Sequence, residues 1–107
     1  MTNSIQGPLR ITIDDANSSL TLRLEGKIAG PMVDELRRTW SALSSELGRR
    51  PLVIDLRDAL YIDNKGLAVL ADIHRSTDAQ FQADSPLTQY FANQAMGIQD
   101  SKRSMRK

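Results

Sequence analysis

The sequence predicts an α/β fold: a small mixed β-sheet in the order β-β-α-β-α-β-α, with helices packed against it. Three observations lead there. The chain opens with two alternating apolar and polar segments around a polar turn. Two helical stripes then follow, with apolar residues at steps of three and four. Between them lies a short, nearly continuous apolar run, Leu52-Val53-Ile54-Asp55-Leu56. Strand periodicity at the start and strand–helix alternation afterwards describe a sheet that begins antiparallel and continues parallel.

Residues 1–8 contain no core pattern and read as a flexible lead-in. Leu9, Ile11 and Ile13 alternate with Arg10 and Thr12, the period of a half-buried strand. Asp14-Asp15-Ala16-Asn17-Ser18 is turn chemistry. Leu20, Leu22 and Leu24 then alternate with Thr21, Arg23 and Glu25, completing a hairpin, and Gly26 marks a bend before Lys27-Ile28. Gly30-Pro31 starts a helix, with Pro in the first turn where its missing N–H costs nothing. Val33, Leu36, Trp40, Leu43 and Leu47 form its apolar stripe, and Gly48 ends it. That stripe makes Trp40 a core residue and not a ligand platform.

Leu52–Leu56 is too short and too apolar for a surface helix and reads as a strand covered on both faces. A short loop leads to Asp63, which caps a helix over 64–75 with Leu67, Leu70 and Ile73 inward. Residues 76–80 are a polar linker, and Phe81-Gln82-Ala83 is a short strand candidate. Ser85-Pro86 opens the last helix, with Leu87, Phe91 and Ala95 on one face and Gly97 as its stop. The folded domain is expected over 9–98. Residues 99–107 hold Lys102, Arg103, Arg106 and Lys107 and read as a disordered basic tail that aids solubility.

Composition bounds the function. The 107 residues are 25% charged and 40% hydrophobic, ordinary for one soluble globular domain. A net charge of +1 gives no argument for nucleic acid. There is no cysteine, so thiol and disulfide chemistry are excluded. No apolar run approaches the ~20 residues of a membrane span, and the first residues lack the pattern of a signal peptide. A cytoplasmic protein is expected.

The stretch from Pro51 to Gly66 is the most informative. A strand delivers a polar loop to a helix N-terminus, where free N–H groups favour negative charge. Three segments together resemble the STAS domain family, which includes anti-sigma factor antagonists and cytoplasmic domains of anion transporters. Leu22-Arg23-Leu24-Glu25-Gly26-Lys27-Ile28 resembles the family's strand with its central Gly, and Leu52–Leu56 its core strand. Tyr61-Ile62-Asp63-Asn64-Lys65-Gly66-Leu67 resembles its signature, an Asp followed by two small, usually hydroxyl-bearing residues and Gly-Leu. The resemblance covers about residues 9–97.

It implies a regulator that acts by binding and not by catalysis, without a cofactor. Its partner would be an anti-sigma factor that is also a serine-protein kinase. The kinase phosphorylates the hydroxyl residue after the Asp, and the phosphate, about −1.5 to −2 charges, releases the antagonist. Here that position is Asn64, followed by Lys65, and neither can accept a phosphate from such a kinase. Ser76 and Thr77 lie beyond the far end of the helix, roughly 18 Å away, and cannot stand in. The partner-binding surface implied is Asp58, Tyr61, Asp63, Asn64, Lys65 and Gly66, with Lys27 near the end of the second strand. The other reading is an accessory subunit of a transporter or similar complex, docking through the same loop with no switch needed.

Rival chemistries are weaker. Asp14-Asp15 with Asp55 is similar to the acidic set of a response-regulator receiver, but a receiver's pair leads into a helix and this one leads into an alternating strand. Asp55, Asp58 and Asp63 are explained by loop hydrogen bonding and helix capping without a metal. His74, the single histidine, sits near a helix C-terminus, where a cation suits the dipole, and with no Cys and no Ser-His-Asp arrangement in the sequence a nucleophilic enzyme is not expected.

Overall fold

The computed structural model describes residues 9–97. The expected lead-in over 1–8 and the basic tail over 99–107 lie outside the described residues. Within them the order is β1 (Leu9–Asp15), β2 (Leu20–Ile28), α1 (Met32–Leu47), β3 (Leu52–Asp55), β4 (Ala59–Ile62), α2 (Asn64–Thr77), β5 (Gln80–Gln82) and α3 (Pro86–Met96). The mixed α/β architecture follows the expected order with one addition. β4 forms where the sequence reads as loop.

β1 and β2 make the antiparallel hairpin, in register from Leu9↔Gly26 to Asp15↔Leu20. All other pairings are parallel. β3 runs along the first half of β2, from Leu20↔Leu52 to Arg23↔Asp55. β4 takes up the second half, at Gly26↔Ala59, Lys27↔Tyr61 and Ile28↔Ile62, with a bulge between Gly26 and Lys27. β5 closes the far side along β3. One long strand thus serves two short ones end to end.

Alternation sorts the side chains. Leu9, Ile11, Leu20, Leu22, Leu24, Leu52, Ile54 and Leu56 are buried on one face. They meet Val33, Leu36, Leu43 and Leu47 of α1, Val69, Leu70 and Ile73 of α2, and Phe91, Ala92 and Ala95 of α3. Burying each large side chain contributes about 1.5–3 kcal/mol. Trp40 is partly buried against this core. The connections β2-α1-β3 and β4-α2-β5 step the same way across the sheet, and right-handed crossovers stepping the same way lie on one face.

The other face stays open and polar, which corrects the expectation that β3 is covered on both sides. Thr12, Arg23, Asp55 and Gln82 stand in one row across the strands. Asp55 is buried by its own partner: Arg57 donates to it from its backbone N at 3.0 Å, from Nε at 3.0 Å and from Nη2 at 2.9 Å. The Arg57 side chain holds the Asp55 carboxyl below the usual carboxylate range, against the opposing effect of burial.

Three helix details differ from expectation. Pro31 occupies the N-cap position of α1 and gives no side-chain cap. α2 continues two residues past Arg75, and Thr77 Oγ1 donates to Ile73 O at 2.8 Å. In α3 the inward residue of the first turn is Thr88 and not Leu87, which is 48% exposed. Thr88 and Ser85 form a capping box, and that reciprocal pair sets the helix rotation. Arg50 clamps the end of α1 to the first hairpin, donating from Nε to Leu47 O at 3.1 Å and from Nη1 to Ala16 O at 2.9 Å, with Asp15 as its ion-pair partner.

Candidate functional site

β2 and β4 end side by side, at Ile28 and Ile62. From there one strand feeds α1 through Ala29-Gly30-Pro31 and the other feeds α2 through Asp63. The two helix N-termini therefore share one edge of the domain, at the carboxyl ends of parallel strands, where α/β sheets present their binding crevices.

Asp63 organises this edge. It has extended backbone, φ −82° and ψ 178°, as an N-cap requires. Its Oδ1 accepts from Gly66 N at 2.8 Å and its Oδ2 from Gly30 N at 3.0 Å. Its own N–H donates to Ile28 O at 3.1 Å, continuing the ladder into the cap. The Gly30 and Gly66 N–H groups hold the Asp63 carboxyl below its ordinary range, Gly30 the larger influence, with Lys65 acting in the same direction. Gly30 adopts φ +59°, and an open left-handed position turns its N–H toward the carboxylate.

Gly66 explains itself by contact. A Cβ there would lie 2.9 Å from Ile28 O and 2.9 Å from Ile62 Cγ2. The close approach is to the end of the sheet, so Gly66 is buried and shapes the site from beneath. Asn64 and Lys65 stand exposed on the first turn above it. That turn holds no acidic residue, whereas the first turn of α1 holds Asp34 and Glu35.

The remaining residues named from sequence lie along β4, just before it, and on the end of its partner β2. Lys27 and Tyr61 are register partners, both exposed. Asp58 lies at the other end of the strand, about 16 Å from Asp63 at ~3.3 Å per residue. It pairs with Arg23 at 2.8 Å, and Arg23 also meets Glu25 at 3.1 Å. The residues form a strip and not one cluster: Asp63, Asn64 and Lys65 at the helix heads, Lys27 and Tyr61 beside them, Asp58 at the far end. Three residues of this surface escape a sequence reading. Gly30 is read only as a helix start, although a Gly at a strand-to-helix junction is the available signal. Leu60 is 65% exposed next to Tyr61, and Arg37 borders Lys65 across the gap between helices. Neither carries a signal in sequence.

The model of the STAS domain family matches residues 10–81. This chain belongs to the STAS domain family. Solved structures share the STAS fold. One is an anti-sigma factor antagonist from Mycobacterium paratuberculosis, with TM-score 0.70 and 20% identity over 90% of this chain and 84% of that one. Another is the anti-sigma factor antagonist SpoIIAA in its unphosphorylated form, with TM-score 0.63 and 13% identity over 89% of this chain and 92% of that one. A third is Mglu, with TM-score 0.55 and 18% identity over 69% of this chain and 19% of that one. A search of curated proteins returned no match. No helix among the described residues is long and apolar enough to cross a membrane.

Proposed function

We propose that this STAS domain is a non-catalytic regulator of the anti-sigma factor antagonist type. It docks onto a serine-kinase anti-sigma factor in the cytoplasm through the loop and helix head at 58–66, and so acts on transcription by releasing a sigma factor. The observation that carries this reading is the first turn of α2. Asp63 and Gly66 hold it against the sheet while Asn64 and Lys65 face outward. Asn64 stands where the family's phosphoacceptor would be, so docking is constitutive and is not reversed by phosphorylation at this position.

The test is binding of the purified chain to each serine-kinase anti-sigma factor of its host, by calorimetry and gel filtration. The reading expects a stoichiometric complex with one of them that survives ATP. It is overturned if none binds. The missing hydroxyl also favours a second reading, an accessory subunit of a transporter complex, for which no switch is needed. Recovery of transport components from the native host, without any such kinase, selects that reading instead.

A further inference from the structure

We infer that the outer edge of β1 pairs with the same edge of a second copy of this chain, antiparallel about a two-fold axis at Thr12. This surface is separate from the docking edge and does not depend on it. β1 has a partner on one side only, β2, among the described residues. Its seven residues keep one unbroken register and contain no Pro, Gly or bulge, which are among the devices that keep an exposed edge from pairing. The opposite edge, β5, is only three residues long. Leu20 and Gly26 face Asp15 and Leu9 across the hairpin. Their N–H groups turn the other way, to Pro51 O at 3.0 Å and Asp58 O at 3.1 Å. Bonded and unbonded pairs alternate along an antiparallel ladder, so Leu9, Ile11, Ile13 and Asp15 aim their N–H and C=O groups away from β2. Ile11 and Ile13 thus hold the centre of an open ladder.

A second β1 fits that edge in one register. Ile11 faces Ile13 of the second copy and Ile13 faces its Ile11, and these pairs exchange backbone bonds. Arg10 then faces Asp14 of the second copy, Asp14 faces its Arg10, and Thr12 faces Thr12. Those are the non-hydrogen-bonded pairs, in which side chains come closest. Each opposition occurs twice, as a two-fold contact requires. A slide of two residues either way sets Arg10 and Asp14 opposite Thr12, Pro8 or Ala16, with no charge matched. A slide of one residue mismatches both the bonding groups and the faces. The charges are available for this contact. Both side chains are exposed, Asp14 makes no ion pair among the described residues, and Arg10 meets Glu25 only at 4.0 Å. Ile13 is half-buried at the rim of the core, and Ile11 of the second copy covers it.

The test is sedimentation equilibrium of the full chain, with ¹⁵N amide shifts followed on dilution. A contact this small is expected to be half-formed at about 0.1–1 mM, with its shifts on residues 9–15. R10D and D14R alter exposed positions, and each folds as wild type. Each sets like charges opposite one another across the two-fold axis and should weaken self-association at least about tenfold. Mixed in equal amounts, R10D and D14R oppose unlike charges at both positions and should associate as tightly as wild type. The doubly altered R10D/D14R chain should do the same with itself. A chain that stays monomeric at about 1 mM overturns the inference. So does association that R10D and D14R leave unchanged, that mixing them does not restore, or whose shifts fall on another surface.

Discussion

Asp63 reaches across 33 residues of chain to accept the Gly30 N–H at 3.0 Å, and so ties the head of α1 to the head of α2. The same carboxylate caps α2 through Gly66 N at 2.8 Å. One side chain fixes both walls of the candidate docking edge. Its role is therefore larger than that of an ordinary helix cap.

Removing it is expected to cost more than a cap alone. Losing a cap costs about 0.5–2 kcal/mol. The bond to Gly30 adds about 0.5–1.5 kcal/mol, held to the low end because Gly30 is exposed. Asp63→Ala should lower stability by about 1–3 kcal/mol in urea unfolding. Asp63→Asn keeps one acceptor oxygen and should fall between wild type and Asp63→Ala.

Gly66→Ala sets helix propensity against packing. Inside a helix, Ala is favoured over Gly by about 1 kcal/mol. Here the new Cβ meets Ile28 O and Ile62 Cγ2, each at 2.9 Å. Backbone cannot give way cheaply, and overpacking of this kind costs about 1–3 kcal/mol. The expected net result is destabilisation, read as a lower urea midpoint. A raised midpoint would show that the helix is not pressed on the sheet at this point.

The fold was largely legible because alternation and helical stripes are direct consequences of one-sided burial. β4 was not. Only Ala59 and Ile62 of its four residues are buried, Leu60 and Tyr61 face solvent, and its partner is the far half of β2. Nothing local in Ala-Leu-Tyr-Ile announces a strand whose pairing is supplied from over 30 residues away. Leu87 misled for a related reason: the capping box of Ser85 and Thr88 sets the helix rotation, and hydrophobicity alone cannot see it. Of the site, the cap at Asp63 was readable from residue type and position. The bond to Gly30 was not, since it depends on two strands ending at the same level.

Acid should weaken the protein through Asp55 and Asp63. Both carboxyls titrate below their ordinary range in the folded chain. In the unfolded chain they titrate near the usual ~3.9. Between those values the unfolded state binds more protons, so stability rises with pH. The contribution is complete above the unfolded pKa and is lost as pH falls through the folded one. Urea midpoints should fall steadily from about pH 5 downward. Asp63→Asn and Asp55→Asn should each flatten that dependence, whatever their effect at neutral pH. An unchanged slope in both would remove these two carboxylates as the cause.

On the proposed reading, the docking edge at the head of α2 is intact and carries no phosphorylation switch, because Asn64 stands where the family has a hydroxyl residue. The most direct test is mass spectrometry of wild type and Asn64→Ser after incubation with the bound partner kinase and ATP. Wild type should carry no phosphate on residues 58–68 and should stay in the complex. Asn64→Ser should gain one phosphate on the introduced hydroxyl and leave its partner, as about two negative charges enter the contact. Stoichiometric phosphate on the wild-type segment, or an inert Asn64→Ser held in a stable kinase complex, would contradict the account.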